Sequence, residues 1–122
     1  MFSYNTLLVN ILGFFHEHQR RDRNDYINVI YENIANYQGV SDNFDICQNC
    51  SNQTLPYDLD SLMHYTNTAS GRWDKDGKQM TTIEVKANTA LELSHERSKD
   101  TFSPLDLQDI LHLYDCYGKN TF

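Results

Sequence analysis

Gly13-Phe14-Phe15-His16-Glu17-His18-Gln19-Arg20-Arg21-Asp22-Arg23 opens the part of this sequence that decides its fold, and Ser61-Leu62-Met63-His64-Tyr65 completes it. Four apolar residues just before the first segment fit one face of a short helix: Leu7, Leu8, Ile11 and Leu12. Gly13 suits the end of that helix, because glycine adopts a left-handed backbone conformation without a Cβ clash. The pattern therefore predicts a helix, a glycine turn and then His16, whose imidazole is a metal-ligand type.

In this order and at this separation, the two segments resemble the astacin family of zinc metalloendopeptidases. The zinc helix of that family reads H-E-x-x-H-x-x-G-x-x-H-E and precedes a Met-turn. Alignment on Gly13 and His16 puts the family's two other zinc histidines at positions 6 and 10 and its general base at position 7. This chain has Thr6, Leu7 and Asn10 there. Since threonine and asparagine are poor zinc ligands and leucine accepts no proton, the chain as written is expected to be inactive.

The resemblance assigns roles to the site residues that this chain retains. His16 matches the third zinc ligand, with a polar histidine at a helix end as the alternative interpretation. Met63 matches the methionine under the metal, where a flexible thioether fills space by packing. Tyr65 matches the catalytic tyrosine that donates a hydrogen bond to the tetrahedral intermediate. Glu17 matches a family acid that contacts the mature N-terminus. Two motif histidines are not ligands in the family: His18 and His64.

The resemblance also implies the fold, an α+β architecture with two lobes and a zinc cleft between them. Residues 1–122 are expected to form one partial astacin-like peptidase domain, in which the match runs from about Leu12 to Cys116 and residues 1–10 depart from the family. The chain then corresponds to the C-terminal lobe, with the end of the zinc helix, a Met-turn, much irregular structure and a C-terminal helix. The upper lobe, which lines the cleft, is expected to lie outside this chain.

Local patterns predict several elements independently of the family. The alternation Ile27-x-Val29 favours a strand, as does the β-branched run Thr81 to Val85. Asp76-Gly77 is a typical hairpin turn. Ser103-Pro104 predicts a helix through Tyr114, with serine at the N-cap and proline at the first helical position. Gly118 would stop that helix. Its apolar face comprises four residues: Leu107, Ile110, Leu111 and Tyr114.

Charge and composition exclude two classes of partner. The chain has 122 residues, 39% of them hydrophobic, with a net charge of −7 and an isoelectric point near 5.0. This balance disfavours binding to nucleic acid or to an anionic membrane surface. No apolar run approaches the roughly 20 residues that span a bilayer. The basic cluster Arg20-Arg21-x-Arg23 is interleaved with Asp22 and Asp25, which predicts a paired network on the surface.

The three cysteines leave one without a mate. Cys47 and Cys50 form a C-x-x-C motif that is compatible with a loop disulfide, with pairing to an upstream cysteine, or with metal or redox chemistry. Cys116 resembles the last cysteine of the astacin domain, whose family partner lies upstream of this chain. A free thiol at Cys116 and a disulfide-linked dimer are therefore expected. Two acceptor sequons for N-glycosylation lie in the same loop: Asn49-Cys50-Ser51 and Asn52-Gln53-Thr54.

Two functional hypotheses follow. The first is a secreted astacin-like endopeptidase that cleaves peptide or protein substrates through a zinc-bound water. It requires that the sequence be a truncated piece or an incomplete gene model, which the abrupt change in sequence before Leu12 favours. The second is a non-catalytic pseudoprotease remnant that binds a peptide or protein, favoured by the retained helical pattern. The extracellular location comes from the resemblance. Residues 1–15 lack the positive region and cleavage site of a complete signal peptide.

Overall fold

The computed structural model of this protein describes residue 10 and the ranges 12–50, 54–93 and 101–116. These residues form a small mixed α+β structure, as predicted. The elements whose bounds fall within the described residues are two strands, β1 (Ile27–Val29) and β2 (Ile83–Val85), and the helix α1 (Pro104–Leu113). Single-turn 3-10 helices punctuate the first third of the chain: Glu17–Gln19, Arg23–Asp25, Tyr31–Asn33 and Ser41–Phe44. The rest of the described chain is held by turns and loops.

The two strands pair antiparallel and carry the main core. Ile27 lies opposite Val85 and Val29 lies opposite Ile83, which confirms both predicted strands. Because side chains alternate across a strand, Ile27, Ile83 and Val85 point to one face and are at most 1% exposed. Phe44, from the last 3-10 turn before the disulfide loop, is fully buried against them. The apolar cluster so formed is the strand core (Ile27, Phe44, Ile83, Val85).

The predicted hairpin is present around Gly77. Trp73 and Gln79 form an antiparallel bridge, and Gly77 takes a φ of +74°, a left-handed value that suits glycine. The carboxylate of Asp74 accepts the backbone N–H of Asp76 at 2.9 Å and so closes the turn. The indole of Trp73 is 69% exposed at the base of this hairpin.

The helix α1 begins as predicted. The Ser103 hydroxyl accepts the backbone N–H of Asp106 at 2.9 Å, and the Asp106 carboxylate accepts the N–H of Ser103 at 3.0 Å. These two bonds form a capping box, with Pro104 at the first helical position. The same carboxylate accepts the backbone N–H of Leu62 at 2.9 Å, which fixes α1 on the segment that carries Met63.

The far end of α1 differs in detail from the prediction. The helix ends at Leu113 and Tyr114 is its C-cap, while Gly118 lies outside the described residues. None of the residues of α1 is buried. Three members of its apolar face are exposed: Leu107, Leu111 and Tyr114. Within the part of the chain that the structure describes, no helix is long and apolar enough to cross a membrane.

Candidate functional site

His16 is anchored directly after the glycine turn. The N–H of Gly13, whose φ is +91°, donates to the carbonyl of Asn10 at 3.0 Å, so the chain turns as the sequence predicts. The imidazole Nδ1–H of His16 then donates to the carbonyl of Met63 at 2.9 Å. The N–H of Glu17 donates to the same carbonyl at 3.1 Å. Because Nδ1 carries the proton in this bond, Nε2 is the nitrogen that keeps a lone pair, as a metal-ligating histidine requires.

Met63, whose carbonyl accepts the bond from His16, lies in a tight turn with its side chain buried. The backbone turns tightly here, since the N–H of His64 donates to the carbonyl of Ser61 at 3.1 Å. The side chain of Met63 is 4% exposed and lies in a small apolar cluster with Leu62. Phe14 and Phe102 pack against this cluster from the glycine turn and from the approach to α1. The methionine is therefore held by packing within the chain.

Tyr65 lies beside His16 and is supported by rings on two sides. Its ring centroid is 4.8 Å from that of His16, and it stacks on the imidazole of His18 at 3.9 Å. Phe44 contacts it edge-on, with the ring centroids 5.6 Å apart. Burial raises the pKa of the Tyr65 phenol above its usual value. The hydroxyl therefore keeps its proton at neutral pH and remains a hydrogen-bond donor.

His18 is a fully buried, neutral support for Tyr65. Its Nε2–H donates to the carbonyl of Asn43 at 2.9 Å. Burial lowers the pKa of His18 to about 2, against a smaller opposing effect of the bond to Asn43. Its Nδ1 is buried and has no hydrogen-bond partner among the described residues. A neutral ring can stack on a phenol without adding charge next to it.

A polar cluster (Glu17, Arg20, Tyr57, His64) lies directly below these residues. The Arg20 guanidinium donates to Glu17 Oε1 at 2.9 Å, and the backbone N–H of Asp58 donates to the same oxygen at 2.8 Å. Burial raises the pKa of Glu17 to about 7, although Asp58 and Arg20 both favour the ionised form. The Arg20 guanidinium also lies 5.3 Å from the centre of the Tyr57 ring, within reach of a cation–π contact.

The cluster continues from Tyr57 to the backbone of Tyr65. The Tyr57 hydroxyl donates to His64 Nε2 at 2.8 Å, and His64 Nδ1–H donates to the carbonyl of Tyr65 at 2.6 Å. Tyr26 stacks on Tyr57 with ring centroids 4.5 Å apart. Burial raises the pKa of the Tyr57 phenol well above its usual value, so it remains a donor. This chain of bonds orients the backbone on which Met63 and Tyr65 are carried.

The predicted surface location of the basic cluster is wrong for Arg20 and Arg23, which are 8% and 4% exposed. The predicted pairing holds for Arg20, whose guanidinium also contacts Asp22 at 2.9 Å. Arg23 instead donates to the carbonyls of His18 at 3.1 Å and Phe44 at 2.6 Å. The physical reason is that a guanidinium offers five N–H donors. Those of Arg20 reach two loop carbonyls as well as carboxylates, and those of Arg23 reach carbonyls in the 3-10 turns.

A cavity of about 530 Å³ opens beside His16. The glycine turn and Met63 line one wall, and the inner face of α1 lines the other with Asp109 and Ile110. Cys50 and Thr54 close a third side. Burial raises the pKa of the Asp109 carboxyl above its ordinary value. The cavity thus combines apolar walls with carboxyl groups from the turn and from α1.

The residues present do not fit a zinc ion held by three protein ligands. Among the described residues, no group of three histidine, cysteine or acidic side chains is placed to hold a metal ion. Asn10 is exposed and helical, whereas Thr6 and Leu7 lie outside the described residues. By their chemistry, none of these three side chains replaces an imidazole as a ligand or a glutamate as a base. His16, the predicted third ligand, is the histidine of that prediction that the structure describes.

The cysteine predictions have separate outcomes. Cys47 and Cys50 form a disulfide with their Cα atoms 5.5 Å apart, which confirms the loop-disulfide alternative. Cys116 is exposed and forms no disulfide among the described residues. Ser51 and Asn52, which belong to the two sequons, lie outside the described residues.

Sequence reasoning missed two supporting residues. Tyr57 follows Pro56 in a polar loop and has no periodic or motif context, so no pattern marked its hydroxyl as the partner of His64. Phe44 likewise stands alone among polar residues. A lone large aromatic in a polar loop is the one signal that could have identified both as buried.

Comparison with known proteins gives a consistent picture. The family model for astacin, a peptidase family, matches residues 7–115. The chain is 35% identical over 113 residues to zinc metalloproteinase nas-4 of Caenorhabditis elegans and 36% identical over 109 residues to low choriolytic enzyme of Oryzias latipes. These matches cover 91% and 89% of this chain but 33% and 36% of the relatives. The chain therefore spans about a third of their length.

The fold matches a solved structure as well. High choriolytic enzyme 1 of Oryzias latipes, a hatching enzyme zinc-protease, superimposes with a TM-score of 0.70 at 30% sequence identity. The match covers 86% of this chain and 48% of that one. The arrangement of Met63, Tyr65 and the glycine turn thus occurs in a fold similar to that of a zinc-protease.

Proposed function

This chain belongs to the astacin family of zinc metalloproteases, and we propose that it carries the Met-turn side of the family's site without peptidase activity of its own. The observation that supports the first part is the double anchor on the Met63 carbonyl, which holds both His16 and the chain after it. His16 is the proposed metal ligand, Met63 its floor and Tyr65 the proposed catalytic hydrogen-bond donor.

The proposed inactivity rests on donor chemistry. The positions that pair with His16 in the family hold Thr6 and Asn10, and the position of the general base holds Leu7. A catalytic zinc site needs three protein ligands and an open position for water. Components that act as a unit lose nearly all their effect when one is removed. The cofactor proposed for the family is zinc, and stable zinc binding by this chain is not expected.

Location and partners follow from the same assignment. A disulfide in a small domain is typical of an oxidising compartment, so we propose that the protein is secreted. Peptides or proteins are the proposed substrate class of the family. The exposed thiol of Cys116 would join two copies of the chain in such a compartment.

A second function, peptide binding without cleavage, is favoured by the cavity beside His16. Its walls include the apolar side chains of Phe14 and Ile110, and its volume of about 530 Å³ is in the range of small-ligand sites. Such a pocket would accept an apolar side chain of a bound peptide whether or not a metal is present.

The test compares the parent chain with a restored ligand set. We expect the dialysed parent to hold far less than one zinc per chain by elemental analysis and to cleave no denatured protein in a chelator-sensitive manner. Thr6→His, Leu7→Glu and Asn10→His together should raise zinc affinity by about a hundredfold or more, because three imidazoles then converge on one metal. Adding His16→Ala to the triple variant is the matched control and should abolish the gain.

Either of two results would contradict the proposal. One is nearly stoichiometric zinc in the parent chain that disappears with His16→Ala. The other is a folded triple variant, verified by circular dichroism, whose zinc affinity equals that of the parent. The second result would mean that the alignment on Gly13 is wrong.

A further inference from the structure

The Cys47–Cys50 disulfide is built against the turn that follows His16. The backbone N–H of Cys47 donates to the carbonyl of Gln19 at 2.9 Å, in the 3-10 turn Glu17–Gln19. Cys47 is half-exposed, while Cys50 is 8% exposed and lines the cavity beside His16. Cys47 is therefore the more accessible residue of the pair, and Cys50 belongs to the cavity wall.

A cation also contacts the loop between the two cysteines. The Arg21 guanidinium donates to the carbonyl of Gln48, the residue after Cys47. Arg21 thus brings a positive charge to the loop that carries both cysteines, and a nearby cation favours the thiolate form of a cysteine. The arrangement is unlike that of an inert disulfide buried among apolar side chains.

A purely structural role explains this bond poorly. The two cysteines are only 3 positions apart in the sequence. A cross-link that closes so short a loop removes less entropy from the unfolded chain than one that joins distant segments, because the closure entropy grows with loop length. The loop residues between the cysteines, Gln48 and Asn49, are exposed and bury no apolar surface.

We propose that Cys47–Cys50 is a thiol–disulfide exchange site for dithiols and that its reduction releases the cavity wall beside His16. A thiolate of the dithiol attacks the Cys47 sulfur, the Cys47–Cys50 bond breaks, and Cys50 leaves as a thiolate that takes up a proton. The second thiol of the dithiol then attacks the mixed disulfide and releases Cys47. The protein gains two electrons and two protons, and the dithiol becomes a cyclic disulfide.

Reduction would act on the site through the backbone. Without the covalent link, Cys50 is free to move away from the cavity, and the bond between Cys47 and Gln19 loses the constraint that holds it. The turn Glu17–Gln19 directly follows His16. Because the bond from Cys47 to Gln19 holds this turn, loss of that bond would increase the mobility of the turn and of His16. The exchange would thus couple the redox state of the surroundings to the shape of the cavity.

The test uses the full chain with Cys116→Ser, which removes the third thiol. Dithiothreitol is the probe, and alkylation with mass analysis follows reduction in native buffer and in concentrated urea. Reduction in native buffer should be at least as fast as in urea. Arg21→Gln should slow the rate of reduction in native buffer by about threefold or more without changing the rate in urea.

Arg72→Gln is the matched control, since Arg72 is also exposed and donates to a backbone carbonyl, that of Glu32. It should change neither rate.

Hydrogen exchange supplies the structural readout. The amide of Cys47 should be protected in the oxidised chain and lose protection on reduction, while the amide of Ile30, which donates to Thr82, keeps its protection. Native reduction about tenfold slower than in urea would overturn the proposal, because exposure and Arg21 would then give no activation. Equal rates in the Arg21→Gln and parent chains, or equal Cys47 protection in both redox states, would also overturn it.

Discussion

The strand core and the polar cluster are both buried, yet they are held by different forces. Residues of the strand core are at most 1% exposed and interact through apolar packing alone. Residues of the polar cluster are between 3% and 9% exposed, and hydrogen bonds of 2.9 and 2.8 Å join Glu17 to Arg20 and Tyr57 to His64. Packing is non-directional and tolerates conservative changes of shape, whereas a buried polar group needs its specific partner.

The difference shows how this small structure supports its site. Hydrogen bonds link His16, Met63 and Tyr65 to one another or to the polar cluster, while the strand core packs against the Tyr65 ring. The geometry of the site should therefore respond to the loss of single hydrogen bonds more than to changes of volume in the core. Three substitutions, ordered by the expected loss of unfolding free energy, compare the two regions.

The largest effect is expected for Arg20→Met. It leaves the Glu17 carboxyl without its cation and removes the donors that reach the carbonyls of Leu55 and Pro56. Breaking a buried pair on one side costs about 3–5 kcal/mol of unfolding free energy. Urea denaturation followed by far-ultraviolet circular dichroism measures it. Arg72→Met, at an exposed arginine, is the control and should change stability by less than about 0.5 kcal/mol.

A decrease in unfolding free energy below about 1 kcal/mol for Arg20→Met would contradict the difference drawn between the two regions. The polar cluster would then tolerate a missing partner as well as an apolar core tolerates a small change of shape. Adding Glu17→Gln to the same chain sharpens the result. If the unpaired carboxyl is the main cost, the double variant should recover part of the lost stability.

An intermediate effect is expected for Tyr57→Phe. The ring and its stacking on Tyr26 remain, but His64 Nε2 loses its donor at 2.8 Å. An unsatisfied buried acceptor costs about 1–3 kcal/mol. Tyr37→Phe removes a hydroxyl from a ring that is 76% exposed and should be neutral in the same denaturation experiment. Equal stability of the two variants would show that the bond from Tyr57 to His64 contributes nothing.

The smallest effect is expected in the strand core. Ile83→Val removes one methylene from a fully buried side chain opposite Val29 and should cost about 0.5–1.5 kcal/mol. The same denaturation experiment measures it beside Arg20→Met. A loss for Ile83→Val as large as that for Arg20→Met would reverse the ranking and place the more sensitive region in the apolar core.

Elements that depend on local patterns were predictable from the sequence. The alternation at Ile27 and Val29, the Asp76-Gly77 turn and the cap at Ser103 each express their structure within a few residues. Gly13 also turns the chain as predicted. In these cases the physical cause, side-chain alternation, positive φ or a capping hydroxyl, is present in the segment itself.

The polar cluster could not be predicted from local patterns. The bonds that tie it together and to the site include links between distant parts of the sequence, such as the N–H of Asp58 to Glu17 and the Arg20 guanidinium to the carbonyl of Leu55. Charge alternation around Arg20 suggested solvent exposure, because a charged residue is rarely buried. Arg23 lies inside because carbonyls of two 3-10 turns accept its N–H groups, and Arg20 lies inside because two loop carbonyls and the Glu17 carboxylate accept its own.

The exposed indole at the base of the hairpin determines which spectroscopic signal can be used to follow unfolding. Trp73 is the single tryptophan of the chain, and water already surrounds most of it in the folded state. Its emission wavelength will shift little on unfolding, so tryptophan fluorescence is a poor reporter of this protein. The ring of Tyr57 is 8% exposed and stacks on that of Tyr26, so it lies in an asymmetric environment. Near-ultraviolet dichroism of tyrosine is therefore the optical signal that reports on the native state.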